Sequence, residues 1–204
     1  GKAGRSSGDN EVCPECRGKF RFVQTPFCPG CGGELDGVFK VCSKCMREEK
    51  RPWSRAVSAF KMEGEARDMI HLFKYRDRPE LALPLGKLAA EALRKSGVEF
   101  DCVTPTPLHW TKALSRGYNQ SRLLSEVIAA ETGKPVVRLL RRARMTRQQA
   151  RLGREERKKN LKGAFSIAGH VICERRAILL VDDVLTTGST LTEETRVLLD
   201  GGAE

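Results

Sequence analysis

The stretch Ala177-Ile178-Leu179-Leu180-Val181-Asp182-Asp183-Val184-Leu185-Thr186-Thr187-Gly188-Ser189-Thr190 passes from an apolar run through two acids into a hydroxyl-rich turn, and a helical pattern follows over residues 191–199. Five apolar residues without alternation read as a strand buried on both faces. In an open α/β sheet, ligands bind beyond the carboxyl ends of strands, so the turn after Val181 stands where a site belongs. Thr186, Thr187, Gly188, Ser189 and Thr190 offer backbone N–H groups and hydroxyls at a helix N-terminus, a setting for phosphate. The adjacent carboxylates of Asp182 and Asp183 repel phosphate; they suit paired sugar hydroxyls or, through them, a divalent cation. The two halves together describe a phosphorylated sugar. A nucleotide P-loop is excluded, because Gly188 is followed by Ser189 where that motif needs lysine. The competing reading is a capped helix beside a solvated acid pair.

The surroundings extend the α/β pattern. Ala66, Met69, Ile70 and Phe73 recur at helical spacing, and residues 81–93 read as a second helix with Pro84 in its first turns. Residues 103–107 form a short strand entering a proline-bounded loop. Residues 120–132 are helical and stop at Gly133. Residues 136–140 are extended and residues 164–167 weakly so, while 56–60 alternate like a strand. Strand, helix and strand in succession predict a parallel sheet.

Six of the eight cysteines fall into three C-x-x-C pairs, Cys13/Cys16, Cys28/Cys31 and Cys42/Cys45. Each such turn aims two thiolates at one point, and two turns complete the tetrahedral shell that Zn²⁺ prefers. Cys28-Pro29-Gly30-Cys31-Gly32-Gly33 has the spelling of a zinc knuckle. Disulfides and a redox pair are the alternatives. Six ligands do not divide into fours, so one pair is spare, shares a second site, or has its partner outside the sequence. Cys102 and Cys173, in apolar settings, read as core. Cysteine disappears after Cys45 until Cys102, which divides the chain into a cysteine-rich module over residues 1–52 and an α/β domain over 53–204.

With 204 residues, 40% apolar and 31% charged, the chain has room for one full domain plus a small module, which excludes fibrous and disordered classes. The longest apolar run, five residues, is far below the ~20 a membrane-spanning helix needs. Residues 2–10 are small and polar, unlike a secretory signal, and predict a cytoplasmic chain with reduced thiols. The opening at Gly1 without methionine, and the helix exit at Gly201 and Gly202 two residues before the end, predict a fragment cut at both ends. No pattern specifies an oligomeric state.

The net charge of +11 suits a polyanionic partner, and it is local: residues 134–162 carry twelve Lys or Arg against Glu155 and Glu156 alone. Arg141, Arg142, Arg144, Arg147 and Arg151 lack apolar periodicity and read as a mobile cationic loop. Such a loop can close over pyrophosphate, or it can attract a nucleic-acid backbone, or it is a solvated face.

Residues 181–190 resemble the phosphoribosyl-pyrophosphate (PRPP) signature of type I phosphoribosyltransferases. More broadly, the cysteine pairs, Phe73-Lys74-Tyr75-Arg76, Pro105-Thr106-Pro107-Leu108, Arg116-Gly117-Tyr118-Asn119-Gln120, and Gln148, Ala150 and Leu152 ahead of Arg157, Lys158 and Asn160 resemble the competence protein F (ComF) family. The resemblance covers nearly the whole chain, from Cys13 to Glu204. It implies a parallel-sheet type I phosphoribosyltransferase fold behind a zinc-ribbon module, and a link to DNA uptake. Fuller members carry a further cysteine pair before the equivalent of Cys13, which leaves Cys28, Cys31, Cys42 and Cys45 as one zinc site. It implies PRPP with Mg²⁺ as ligand. Asp182 and Asp183 would hold the ribose hydroxyls, and Thr186, Thr187, Gly188, Ser189 and Thr190 the 5′-phosphate. Pro105, Thr106, Arg116 and Arg144 would meet pyrophosphate as it leaves toward a nitrogen nucleophile. No catalytic Ser, Cys or His is required, so His71, His109 and His170 read as structural or exposed. The rival is a non-catalytic accessory factor that binds single-stranded DNA or DNA-uptake proteins and retains a PRPP-type site.

Overall fold

A computed structural model of the chain describes residues 12–35, 38–48, 50–108, 117–144, 161–169 and 173–204. Its regular elements are α1 (Pro14–Gly18), α2 (Ser43–Met46), α3 (Gly64–Tyr75), α4 (Ala82–Ser96), β1 (Cys102–Pro105), α5 (Gln120–Thr132), β2 (Leu140–Arg142), β3 (Phe165–Ile167), β4 (Ile178–Val181) and α6 (Ser189–Asp200).

β1 and β4 lie parallel, with Cys102 opposite Ile178 and Pro105 opposite Val181. Side chains alternate across this pair as strand geometry requires. Val103, Leu179 and Val181 face α3, α4 and α5, where they meet Ile70, Phe73, Leu85, Leu93, Leu124 and Ile128. Cys102, Ile178 and Leu180 face the other side, with Leu139, Leu140, Cys173 and Leu198 of α6. Helices therefore cover both faces of the parallel strands. Gly86 lets α4 and α5 approach, since a Cβ on it would stand 2.6 Å from Val127 Cβ.

Five expectations change. β4 is packed on both faces but less deeply than expected: Val181 is buried, while Ile178, Leu179 and Leu180 are half-buried, because among the described residues β4 has a strand neighbour on one side only. The strand expected over residues 136–140 divides. Val136 bridges Val103 in parallel, with Val137 N donating to Val103 O at 2.9 Å. Leu139 N then turns to the Thr104 hydroxyl at 3.2 Å, and the chain leaves β1. β2 follows and pairs antiparallel with β3, so the strand pairing is mixed instead of wholly parallel. Arg141 and Arg142, read as loop, sit in β2, where Arg142 stacks over the Phe165 ring at 5.3 Å. Residues 56–60 form no strand; only Phe60 bridges, to Phe22, because this segment serves the cysteine-rich part: Ser58 Oγ donates to Cys31 O at 3.3 Å.

Among the described residues no helix is long and apolar enough to cross a membrane. Phe20, Ala66 and Leu88 form a small cluster joining the cysteine-rich segment to α3 and α4, reinforced by the Arg17–Glu91 ion pair at 2.7 Å.

Candidate functional site

Two centres carry chemistry. The first is the cluster of Cys28, Cys31, Cys42 and Cys45, whose sulfur atoms all lie within 4.8 Å of one another. Each pair comes from a tight turn: Gly32 N donates to Cys28 O at 2.7 Å, and Cys42 precedes the first residue of α2. Cys31 Sγ and Cys42 Sγ stand 3.7 Å apart. That separation is too long for a disulfide, whose sulfurs lie about 2.05 Å apart. It matches the ~3.8 Å edge of a tetrahedron with metal–sulfur bonds of about 2.3 Å. The donor set thus fits Zn²⁺. Burial raises the Cys28 thiol, but the N–H groups of Cys42, Cys31 and Gly30 outweigh it and bring the group down to about 7. Burial dominates at Cys31, which rises to about 11, and pushes Cys45 up as well. Four clustered sulfurs without a cation repel as thiolates, and a bound metal reverses that balance. Cys13 and Cys16 are not brought into the cluster; both are exposed, with Cys16 N donating to Cys13 Sγ at 3.4 Å. Cys102 and Cys173 are buried in the core, as their apolar settings predict.

The second centre lies where β1 and β4 end. Asp182 and residues 184–191 line an open pocket. Gly188 is the N-cap of α6 and brings no side-chain oxygen to the helix's first turn, the arrangement in which an anion takes that role. Thr187 Oγ1 and Ser189 Oγ lie 3.0 Å apart at its lip. Pro105 stands opposite Val181, and Thr106 N donates to Val181 O at 2.9 Å, so the β1 exit borders the same pocket edge. Asn119 holds that exit through Nδ2 to Thr106 O at 3.0 Å while its Oδ1 accepts from Arg122 N and caps α5.

The two acids diverge. Asp183 pairs with Lys74 of α3 at 2.9 Å, both side chains nearly enclosed. Asp182 Oδ1 accepts from Ser121 Oγ at 3.2 Å and from Asp183 N at 2.9 Å. Burial, then the charge of Asp183, pushes its carboxyl up to about 7, against the pull of Asp183 N–H, Lys74 and Ser121. Behind it stands Glu194 of α6, fully buried, its Oε2 accepting from Thr106 Oγ1 at 3.0 Å and its Oε1 without a hydrogen-bond partner among the described residues. Burial and the charge of Asp182 raise Glu194 well above the carboxylate range, so the neutral acid is favoured.

The structure thus gathers Asp182, Thr186, Thr187, Gly188, Ser189 and Thr190 around one pocket, with Pro105 and Thr106 at its border. Arg144 donates from Nη2 to Lys162 O at 2.7 Å. Arg116, Arg147, Arg151, His109 and His170 lie outside the described residues; His71 is exposed. Sequence reasoning missed the roles of Lys74, Ser121 and Glu194. For Glu194 a signal existed: with Leu191 and Leu198 at i−3 and i+4, it falls on the apolar face of its helix.

Fold and centres define a mixed α/β protein with parallel strands and a four-cysteine cluster suited to zinc. No family model matches the chain. It is 30% identical over 202 residues to competence protein F of Haemophilus influenzae, covering 96% of this chain and 87% of that protein. It is 32% identical over 201 residues to the DNA utilization protein YhgH of Escherichia coli K12, covering 94% and 86%. With competence protein ComFC of Bacillus subtilis the identity is 26% over 212 residues, covering 95% and 80%. The chain belongs to the competence protein F family.

Proposed function

We propose that the pocket at the ends of β1 and β4 binds PRPP with Mg²⁺, and that the chain transfers the phosphoribosyl group to a nitrogen nucleophile, releasing pyrophosphate, in a role connected with DNA uptake. In this reading residues 1–52 are a zinc-binding module and residues 53–204 a phosphoribosyltransferase-like domain. The observation that carries it is the Gly188-capped turn opening α6 directly after Asp182 and beside Thr106. The turn would hold the 5′-phosphate, Asp182 the ribose hydroxyls, and the β1 exit with the arginines of residues 116–151 the pyrophosphate. Asp182 would be the residue to hold Mg²⁺, which would supply charge neutralisation at the leaving group. As the bond from the anomeric carbon to pyrophosphate breaks, the bond to nitrogen forms, and the pre-placed cations stabilise the departing charge. Lys74 would hold the Asp183 side chain in place through their ion pair.

Calorimetric titration with PRPP and Mg²⁺, followed by assay of pyrophosphate release with candidate amines, tests the reading. Asp182→Asn should abolish Mg²⁺-dependent PRPP binding in a folded chain; unchanged binding refutes it.

A second reading draws on the names of the relatives, one of which is a DNA utilization protein, and on the charge of residues 134–162. In it the chain is a nucleic-acid-binding accessory factor of transformation, and the pocket senses a ligand without turning it over.

A further inference from the structure

Gly188 is glycine for two reasons. Its φ of +73° lies in the left-handed region that side chains disfavour. The space a Cβ would take is also filled, since that atom would stand 2.8 Å from Arg51 Nη1 and 3.3 Å from the Trp53 ring. Arg51 and Trp53 come from the segment after the four-cysteine cluster and stay tied to it. Trp53 Nε1 donates to Gly30 O at 3.2 Å, and a Cβ on Gly30 would stand 3.0 Å from Cys45 Sγ. The Arg51 guanidinium lies over the Trp53 ring at 5.5 Å and donates from Nη2 to Glu48 Oε2 at 2.5 Å. It is 15% exposed.

A guanidinium against the N-terminus of α6 is electrostatically costly by itself. The helix amides already carry the positive end of the dipole there, and a cation raises the energy of that end. Glu48 offsets the charge of Arg51 but not that of the helix. An anion touching both satisfies both, and Nη1, on the face turned toward Gly188, is the group to reach it. Arginine also presents a planar fork matched to phosphate, and its stacking on Trp53 reduces the ordering cost of binding.

We infer that Arg51 is a further phosphate-binding residue of the pocket, supplied by the cysteine-rich segment, so that the four-sulfur cluster holds one wall of the sugar-phosphate site through Gly30 and Trp53. The inference rests on the reading of the pocket proposed above. Because the turn of residues 186–190 is the 5′-phosphate end, Arg51 acts on that phosphate and not on pyrophosphate.

Calorimetry on the full, zinc-loaded chain with ribose 5-phosphate, and separately with inorganic pyrophosphate, tests it. Arg51→Gln should weaken ribose 5-phosphate binding about 10- to 100-fold, with zinc content and pyrophosphate binding unchanged. Arg51→Lys should recover part of the loss. Wild-type affinity for ribose 5-phosphate in zinc-loaded Arg51→Gln overturns the role of Arg51 and leaves the pocket standing. A wild-type chain that binds no ribose 5-phosphate overturns both. If Arg51→Gln sheds zinc or fails to fold, Glu48→Gln decides. It removes the carboxylate that competes for the guanidinium, so ribose 5-phosphate should bind about two- to fivefold tighter. No tightening overturns the proposal.

Discussion

The Thr106 hydroxyl donates to the Glu194 carboxyl at 3.0 Å, joining residues 88 positions apart and locking the exit of β1 to the helix that opens at the pocket. Burial favours the neutral acid at Glu194, which glutamine imitates in shape and in accepting ability. Glu194→Gln should therefore change stability by less than about 1 kcal/mol. Glu194→Ala leaves a void and orphans Thr106, and should cost about 2–4 kcal/mol. Urea unfolding of the two variants checks this; equal losses would mean that Glu194 is ionised and paired.

Asp182 should make stability and PRPP binding respond oppositely to pH. A carboxyl raised by folding holds its proton more tightly than in the unfolded chain. Its stabilising contribution is complete below the ordinary carboxylate range and is lost as pH rises through about 7. Between about pH 6 and 8 the folded state should lose roughly 1 kcal/mol from this group, and Asp182→Asn should make the fall shallower. Affinity for PRPP with Mg²⁺ should rise over the same interval as the carboxylate forms. Thermal melts and titrations at matched ionic strength read both, and parallel slopes in wild type and variant would remove Asp182 as the cause.

Metal analysis of the purified chain should find about one Zn²⁺, since four thiolates close one site. Cys28→Ser should release it and lower the melting temperature. Cys13→Ser, outside the cluster, should retain it. Folded, zinc-free protein with oxidised cysteines would be evidence against the metal.

The basic segment separates the two functional readings through Arg144 and Arg147. Arg142 is left unchanged because it stacks on Phe165 and supports β2. If these arginines serve DNA, the double alanine variant should lose affinity for single-stranded DNA, and its logarithmic salt slope should shrink by about 0.7 per lost phosphate contact, with PRPP binding intact. If they serve pyrophosphate, the loss appears in PRPP affinity or turnover.

Much of this architecture is legible in the sequence because it is local. The α5 boundaries follow from Asn119 as cap and Gly133 in the left-handed conformation. The paired-cysteine turns follow from C-x-x-C spacing, and the turn between β4 and α6 from an apolar run meeting acids, hydroxyls and one glycine. Spacing along a chain encodes periodicity, caps and turns, since each depends on neighbours within a few residues. Spacing alone left the cysteine pairing open, for three equivalent pairs carry no information on which two meet; the family resemblance pointed to Cys28, Cys31, Cys42 and Cys45, and the tertiary structure brings those four sulfurs together. It separated Asp182 from Asp183 by giving one to Ser121 and the other to Lys74. It turned the chain at Leu139 toward Thr104 and so made an antiparallel pair where alternation predicted a parallel one. It also set Arg51 against Gly188, across 137 residues, a contact that exists only because the cysteine-rich segment folds back onto the pocket. Pairings between distant segments depend on which surfaces are buried together, and no local pattern records that choice.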